Sequence, residues 1–298
     1  MRSAAILRIL ALVALAVLIG AAQTPAPAPL PSQNTSDVYI CPMDPDVRSH
    51  NPGKCARCGM ALVAGLPDPV EYHLDLSVAP SPVKPGQRAS LTFAVHDPWK
   101  NRPVTTFQVV HEKLFHMFVV SQDLQVFEHN HPTLGSDGLF HYDYVFPKAG
   151  MYRVLGDFYP DGATPQLIAK TLIVPGQAPP KPATLQRDYA PKNAENLTVE
   201  LTTEPAQPIS RSTTQMMFRI KPEDGLEKYL GAWGHMLVAS SDLIDMVHEH
   251  PFIADGGPQI QFNVTFPRAK SYRVWVQFQR KGVVNTAHFD VPVKDLGQ

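Results

Sequence analysis

His116-Met117-Phe118-Val119-Val120-Ser121-Gln122-Asp123-Leu124, followed by His129-Asn130-His131-Pro132, occurs twice in this chain. It returns 119 residues further on as His235-Met236-Leu237-Val238-Ala239-Ser240-Ser241-Asp242-Leu243 and His248-Glu249-His250-Pro251. Phe146-Pro147 with Tyr152-Arg153-Val154 likewise returns as Phe266-Pro267 with Tyr272-Arg273-Val274, at an offset of 120. Two homologous modules of about 100 residues are the simplest account of these spacings.

Each module reads as strands. Tyr72, Leu74, Leu76 and Val78 alternate with His73, Asp75 and Ser77, and Leu91, Phe93 and Val95 alternate with Thr92, Ala94 and His96. That is the period of two expected of half-buried strands. Helix is hinted only from Glu223 to Leu230. The fold expected is therefore mainly β: two tandem Ig-like antiparallel β-sandwiches preceded by a small cysteine-stapled segment.

Composition narrows the function classes. The 298 residues carry a formal charge of −1, with 18% charged and 44% hydrophobic residues, which excludes a strongly basic nucleic-acid binder and an acidic disordered tail. The 30 prolines are roughly twice average usage and favour short strands and linkers over long helices. All 3 cysteines lie in the first 60 residues, so the modules need no disulfides.

Arg2 and Arg8 precede a run from Ile9 to Ala22 without charge, which reads as a signal peptide over 1–22. The run is too short to span a bilayer comfortably. Export to the periplasm or the cell exterior is expected, and an uncleaved signal acting as an anchor is the alternative. Residues 23–37 form a proline-rich tether, 38–65 the cysteine segment, 70–176 the first sandwich, 177–190 a second linker and 191–298 the second sandwich.

In the cysteine segment, Tyr39-Ile-Cys41-Pro-Met43-Asp44 leads through Pro52-Gly53-Lys54 to Cys55-Ala-Arg-Cys58-Gly-Met60. A Cys-x2-Cys turn ending in Gly presents two thiolates to one ion, and Cys41 offers a third. About 25 residues cannot fold by burial alone, so a staple is required. A disulfide is the other reading, and the odd count leaves one sulfur over. The segment resembles the short heavy-metal-binding domain found at the start of bacterial copper/silver efflux adaptors and of some copper-transporting ATPases. Tyr-x-Cys-Pro-Met, Pro-Gly-x-Cys and Cys-Gly-Met-x-Leu carry the resemblance. That family usually has His where this chain has Asp44, which leaves Asp44, His50 or a Met for the fourth ligand position.

In each module a His-Met strand turns at Ser-x-Asp-Leu into a His-x-His-Pro strand. A tight turn centred between Gln122 and Asp123 would set His116 opposite His129, and the same turn in the second copy would set His235 opposite His248. Residues two apart share a face, so His116, His129 and His131 form one candidate metal set and His235, His248 and His250 another. Imidazoles so placed suit Cu(II), Cu(I) or Zn(II). Hydrogen-bonded histidines at a sandwich rim are the structural alternative. Met117 and Met236 point to the other face as core filler, and His111, His141 and His288 have no counterpart in the other copy. These modules resemble the YtkA-like family of exported β-sandwiches, some of whose relatives are associated with copper handling.

The expected function is an exported metal-binding protein, with copper as the ion and zinc as the alternative, acting in sequestration or in hand-over to an efflux or assembly partner. A periplasmic interaction module with structural histidines is the other class. Blue-copper electron transfer is excluded because neither module has a Cys beside its histidines. No nucleophile elbow, phosphate loop or His-Glu-x-x-His motif points to an enzyme. Ordinary imidazoles would release their ion below about pH 6, before thiolates holding Cu(I) do.

Overall fold

The computed structural model describes residues 38–41, 47–56, 59–65, 71–98, 102–161, 163–177, 185–252 and 256–297. The signal peptide, the tether, Asp44, Cys58 and half of the second linker lie outside these. No helix among the described residues is long and apolar enough to cross a membrane.

The cysteine segment contributes β1 (Val38–Ile40), β2 (Arg48–Ser49) and β3 (Val63–Gly65), in the order β2-β1-β3. The first repeat follows with β4 (His73–Ala79), β5 (Arg88–Asp97), β6 (Arg102–Pro103), β7 (Phe115–Ser121), β8 (Phe127–Asn130), β9 (Thr133–Leu134), β10 (Phe140–Val145), β11 (Gly150–Phe158) and β12 (Gln166–Val174). One sheet runs β4-β5-β10-β9, with β6 beside β5, and the facing sheet runs β12-β11-β7-β8.

The second repeat has β13 (Lys192–Asn193), β14 (Thr198–Glu204), β15 (Thr213–Lys221), β16 (Leu226–Glu227), β17 (His235–Ser240), β18 (Met246–Glu249), β19 (Gln259–Thr265), β20 (Ser271–Arg280) and β21 (Val283–Pro292). Its sheets run β13-β14-β15-β19 and β16-β20-β17-β18, with β21 beside β20. The repeats are antiparallel β-sandwiches. The stretch 223–230, where the sequence hints at helix, is turn and the short β16 instead. Arg280 draws it onto β20 by bonding Asp224 Oδ1 at 2.8 Å.

Each sandwich has its own core. Phe115, Met117 and Val119 of β7 enter the first, and Met236 and Val238 of β17 enter the second. Both faces of these strands are buried. The alternate residues Phe118, Val120, Leu237 and Ala239 form a third cluster with Leu155, Trp275 and the turn residues Leu124 and Leu243. The histidine-bearing sheets of the two repeats thus pack against each other. Phe127 of one stacks on Trp275 of the other with centroids 5.0 Å apart, a pairing that adds about 0.5–1.5 kcal/mol to simple burial. Arg273 Nη1 donates to Leu124 O at 2.9 Å across the same junction while its Nε bonds Asp290.

The hairpin register differs from the expected one by two residues. Phe118, not His116, lies opposite His129, and Leu237, not His235, lies opposite His248. The cause is a wider turn. Ser121 Oγ bonds Asp123 Oδ1 at 2.6 Å and receives Val126 N–H at 2.9 Å, and Leu124 takes a left-handed φ of 59°. Ser240, Asp242 and Leu243 repeat the arrangement. An even shift returns every side chain to its expected face.

Candidate metal centres

Cys41 closes β1 and Cys55 begins the turn after Lys54. Both are buried, and Val47, Met60 and Leu62 pack against them. The backbone fixes this local loop: Cys41 N–H donates to Val47 O at 3.0 Å, and Cys55 N–H donates to Met60 O at 2.7 Å. Gly59, at φ 75°, returns its N–H to Cys55 O at 2.9 Å, a conformation a side chain would strain. Three strands of two or three residues bury too little to stand alone. Two sulfurs in one buried cluster, with the third cysteine three residues beyond Cys55, fit a soft ion that supplies the missing cohesion. His50 is exposed and outside this cluster. The segment rests on the first sandwich, where Tyr159 Oη donates to Ala64 O at 3.0 Å.

The histidines gather where the sandwiches meet. His116, His129 and His131 each bring a ring nitrogen to within 4.8 Å of the others. The second expected set regroups. His235 and His250 remain together, but His111 of the first repeat joins them within the same limit. His248 is held by Asp157 of the first repeat instead, its Nδ1 bonded to the carboxylate. The two groups are contiguous, with the rings of His116 and His235 centred 6.1 Å apart.

Contacts across the junction are reciprocal. His129 Nδ1 meets Gln277 Oε1 at 2.8 Å, while His248, the counterpart of His129, meets Asp157, the counterpart of Gln277. His116 Nε2 meets Val110 O at 3.0 Å, and His235 Nε2 meets Tyr229 O at 2.9 Å.

These partners fix the tautomers. A carbonyl only accepts, so Nε2 of His116 carries its proton and Nδ1 holds a lone pair. Gln277 Nε2 donates to Thr286 Oγ1 at 3.1 Å, which turns its Oε1 toward His129. His129 therefore donates from Nδ1 and keeps a lone pair on Nε2. His116 Nδ1 and His129 Nε2 face each other at 3.1 Å, so two neutral rings place lone pair against lone pair. Two nitrogens on one tetrahedral ion stand roughly 3.3 Å apart, given metal–nitrogen bonds near 2.0–2.1 Å. The pair is spaced for a shared cation.

The rings stay neutral because burial disfavours their charge. Burial brings His116 down to about 4, and burial with the neighbouring His116 brings His131 down to about 3. His129, His235 and His250 are held well below the ordinary range for the same reasons. For Asp157, burial would raise the carboxyl, but its bond to His248 together with the electrostatic pull of His248, His116 and His111 outweighs that and leaves it below the usual value. His131 Nε2 and His248 Nε2 are buried without a hydrogen-bond partner.

His111, Asp157 and Gln277 are the participants that sequence reasoning missed. Comparing the repeats discards His111, because Leu230 occupies its place in the second copy. Asp157 and Gln277 carried a usable signal, as polar residues at matching positions within the otherwise apolar stretches 154–158 and 274–278.

Residues 69–173 and 192–295 each match a domain of unknown function (DUF8832), and the chain belongs to that family. Residues 38–64 match the heavy metal binding domain, which makes this a metal-binding chain. No curated protein matches. Among solved structures, the Yersinia pseudotuberculosis adhesin InvE aligns at 14% identity and a TM-score of 0.23, over 74% of this chain and 60% of that one. A two-domain fibronectin type III segment of chicken tenascin aligns at 10% identity and a TM-score of 0.22, over 74% of this chain and 99% of that one.

Proposed function

We propose that this is an exported copper-binding protein that sequesters the ion or hands it to an efflux or assembly partner, without catalysing a reaction. Cys41, Cys55 and Cys58 take Cu(I) in this reading, and His116, His129 and His131 hold a further ion on imidazole nitrogen. The observation that carries it is the burial of Cys41 and Cys55 in one cluster, inside the segment that matches the heavy metal binding domain. Thiolate ligands with Met60 packed beside them favour Cu(I) over harder ions. The signal-like run over 1–22 supports export, and the likeness to efflux adaptors and YtkA-like modules supports copper traffic.

The test is elemental analysis of the full chain after loading with Cu(I), beside the variant Cys41→Ser, Cys55→Ser, Cys58→Ser. The variant is expected to lose one equivalent of copper and its thiolate charge-transfer absorption. Equal copper in both proteins would overturn the thiolate site. Retention of zinc against a Cu(I) challenge would overturn the choice of ion.

A further inference from the structure

His111 precedes β7 with a left-handed φ of 48° and is 2% exposed. Neither ring nitrogen makes a hydrogen bond of normal geometry. Its counterpart, Leu230, has φ 50°. Both copies therefore share the backbone conformation, and a leucine satisfies it, so neither the turn nor apolar packing demands an imidazole here. Its polar neighbour in the protein is the Leu230 backbone, and a buried imidazole with no better-formed hydrogen bond than that is destabilising unless something binds it.

The surroundings supply the rest of a site. His111 stacks on His250 with centroids 3.7 Å apart and lies 5.1 Å from the ring of His235. Because His235 Nε2 faces Tyr229 O at 2.9 Å, its Nδ1 lone pair points inward, 3.1 Å from His250 Nε2. Closing on an ion asks the stacked rings, now 26° apart, to open until both planes meet at it. The ring torsion is soft enough to allow this. His250 is half-buried, the least enclosed of the three.

We propose that His111, His235 and His250 bind a borderline divalent ion, Cu(II) or Zn(II), in a site that spans the two repeats. One ligand comes from the first sandwich and two from the second, so neither repeat holds the ion alone and loading fastens them together. The site is separate from the thiolate segment and from the first histidine triad.

The experiment uses the full chain with Cys41, Cys55 and Cys58 replaced by Ser, and Zn(II) as the probe. Bound zinc is measured by equilibrium dialysis with elemental analysis, and hydrogen exchange is followed with and without zinc. His111→Leu, which copies the residue at position 230, is expected to remove one equivalent. It should also abolish the zinc-dependent protection shared by residues 110–116 and 235–250. His250→Ala gives the same result and serves if His111→Leu does not fold. The proposal is overturned if both variants keep the parent stoichiometry, if protection stays within one repeat, or if the parent binds no zinc. Copper lost between wild type and the Ser variant reports on the thiolate reading independently.

Discussion

Gln277 Oε1 lies 2.8 Å from His129 Nδ1 across the junction of the repeats, and so decides which nitrogen His129 turns toward His116. Gln277 need not touch an ion to govern its binding. With Gln277→Ala, the His129 proton is free to move to Nε2 and donate to His116 Nδ1, which removes one lone pair from the triad. Zinc affinity of the first triad, measured by chelator competition in the cysteine-free chain, is expected to fall about 10–100-fold. An unchanged affinity would show that the tautomer does not matter to the site.

Acid should weaken the metal-free fold. His111, His116 and His131 have folded-state values of about 3, 4 and 3, against 6.5 when unperturbed. Below pH 6.5 the unfolded chain takes up protons that the folded chain refuses, so stability present above that pH is lost as pH falls toward 4. Each such histidine contributes a slope of about 1.4 kcal/mol per pH unit within the window. Asp157, already depressed, acts only below its ordinary 3.8 and does not enter. Urea unfolding at about pH 7.5 and pH 5 is expected to show a lower midpoint at pH 5. Burial also corrects the expectation drawn from ordinary imidazoles, because proton competition with metal is displaced downward and uptake should persist below pH 6 while the chain stays folded.

His111→Leu should change sign with metal. In the metal-free chain it removes buried nitrogens that make no hydrogen bond of normal geometry and is expected to stabilise by about 1–3 kcal/mol. With zinc in excess, the loss of the spanning ion should make the same variant less stable than its parent. Denaturation with and without zinc checks both halves, and destabilisation in the metal-free state would mean the imidazole has a structural partner.

The apolar junction is expected to couple the two sandwiches. Trp275→Ala removes the ring that Phe127 stacks on and should cost about 3–5 kcal/mol. Calorimetry of the metal-free variant should resolve two transitions where the parent shows one. A single transition in the variant would place the coupling elsewhere.

Much of this was legible in the sequence. The offsets of 119 and 120 expose the repeats, the period of two exposes the strands, and Cys55-Ala-Arg-Cys58 exposes the thiolate segment. The junction was hidden for a physical reason. Phe118, Leu237 and Trp275 look like core residues, and an alternating strand does not say whether its second apolar face meets its own sandwich or another. The turn width was hidden as well, because the Ser121–Asp123 hydroxyl–carboxylate bond within it is a local side-chain contact that the alternation of apolar and polar residues does not register. Faces survived that error only because the shift was even.

The reciprocal contacts at the junction have the form of a two-fold dimer interface drawn into one polypeptide. Two separate copies of a single repeat, meeting through these same sheets, would be bound by symmetry to place identical residues on either side. His111 would then face the mate of His250 twice over, or Leu230 would do so twice, and Asp157 could not sit opposite a different residue in the Gln277 position. Covalent duplication releases that constraint. One half is free to carry the extra imidazole and the carboxylate while the other supplies leucine and amide, so an interface with two-fold geometry gathers two chemically unequal groups of histidines.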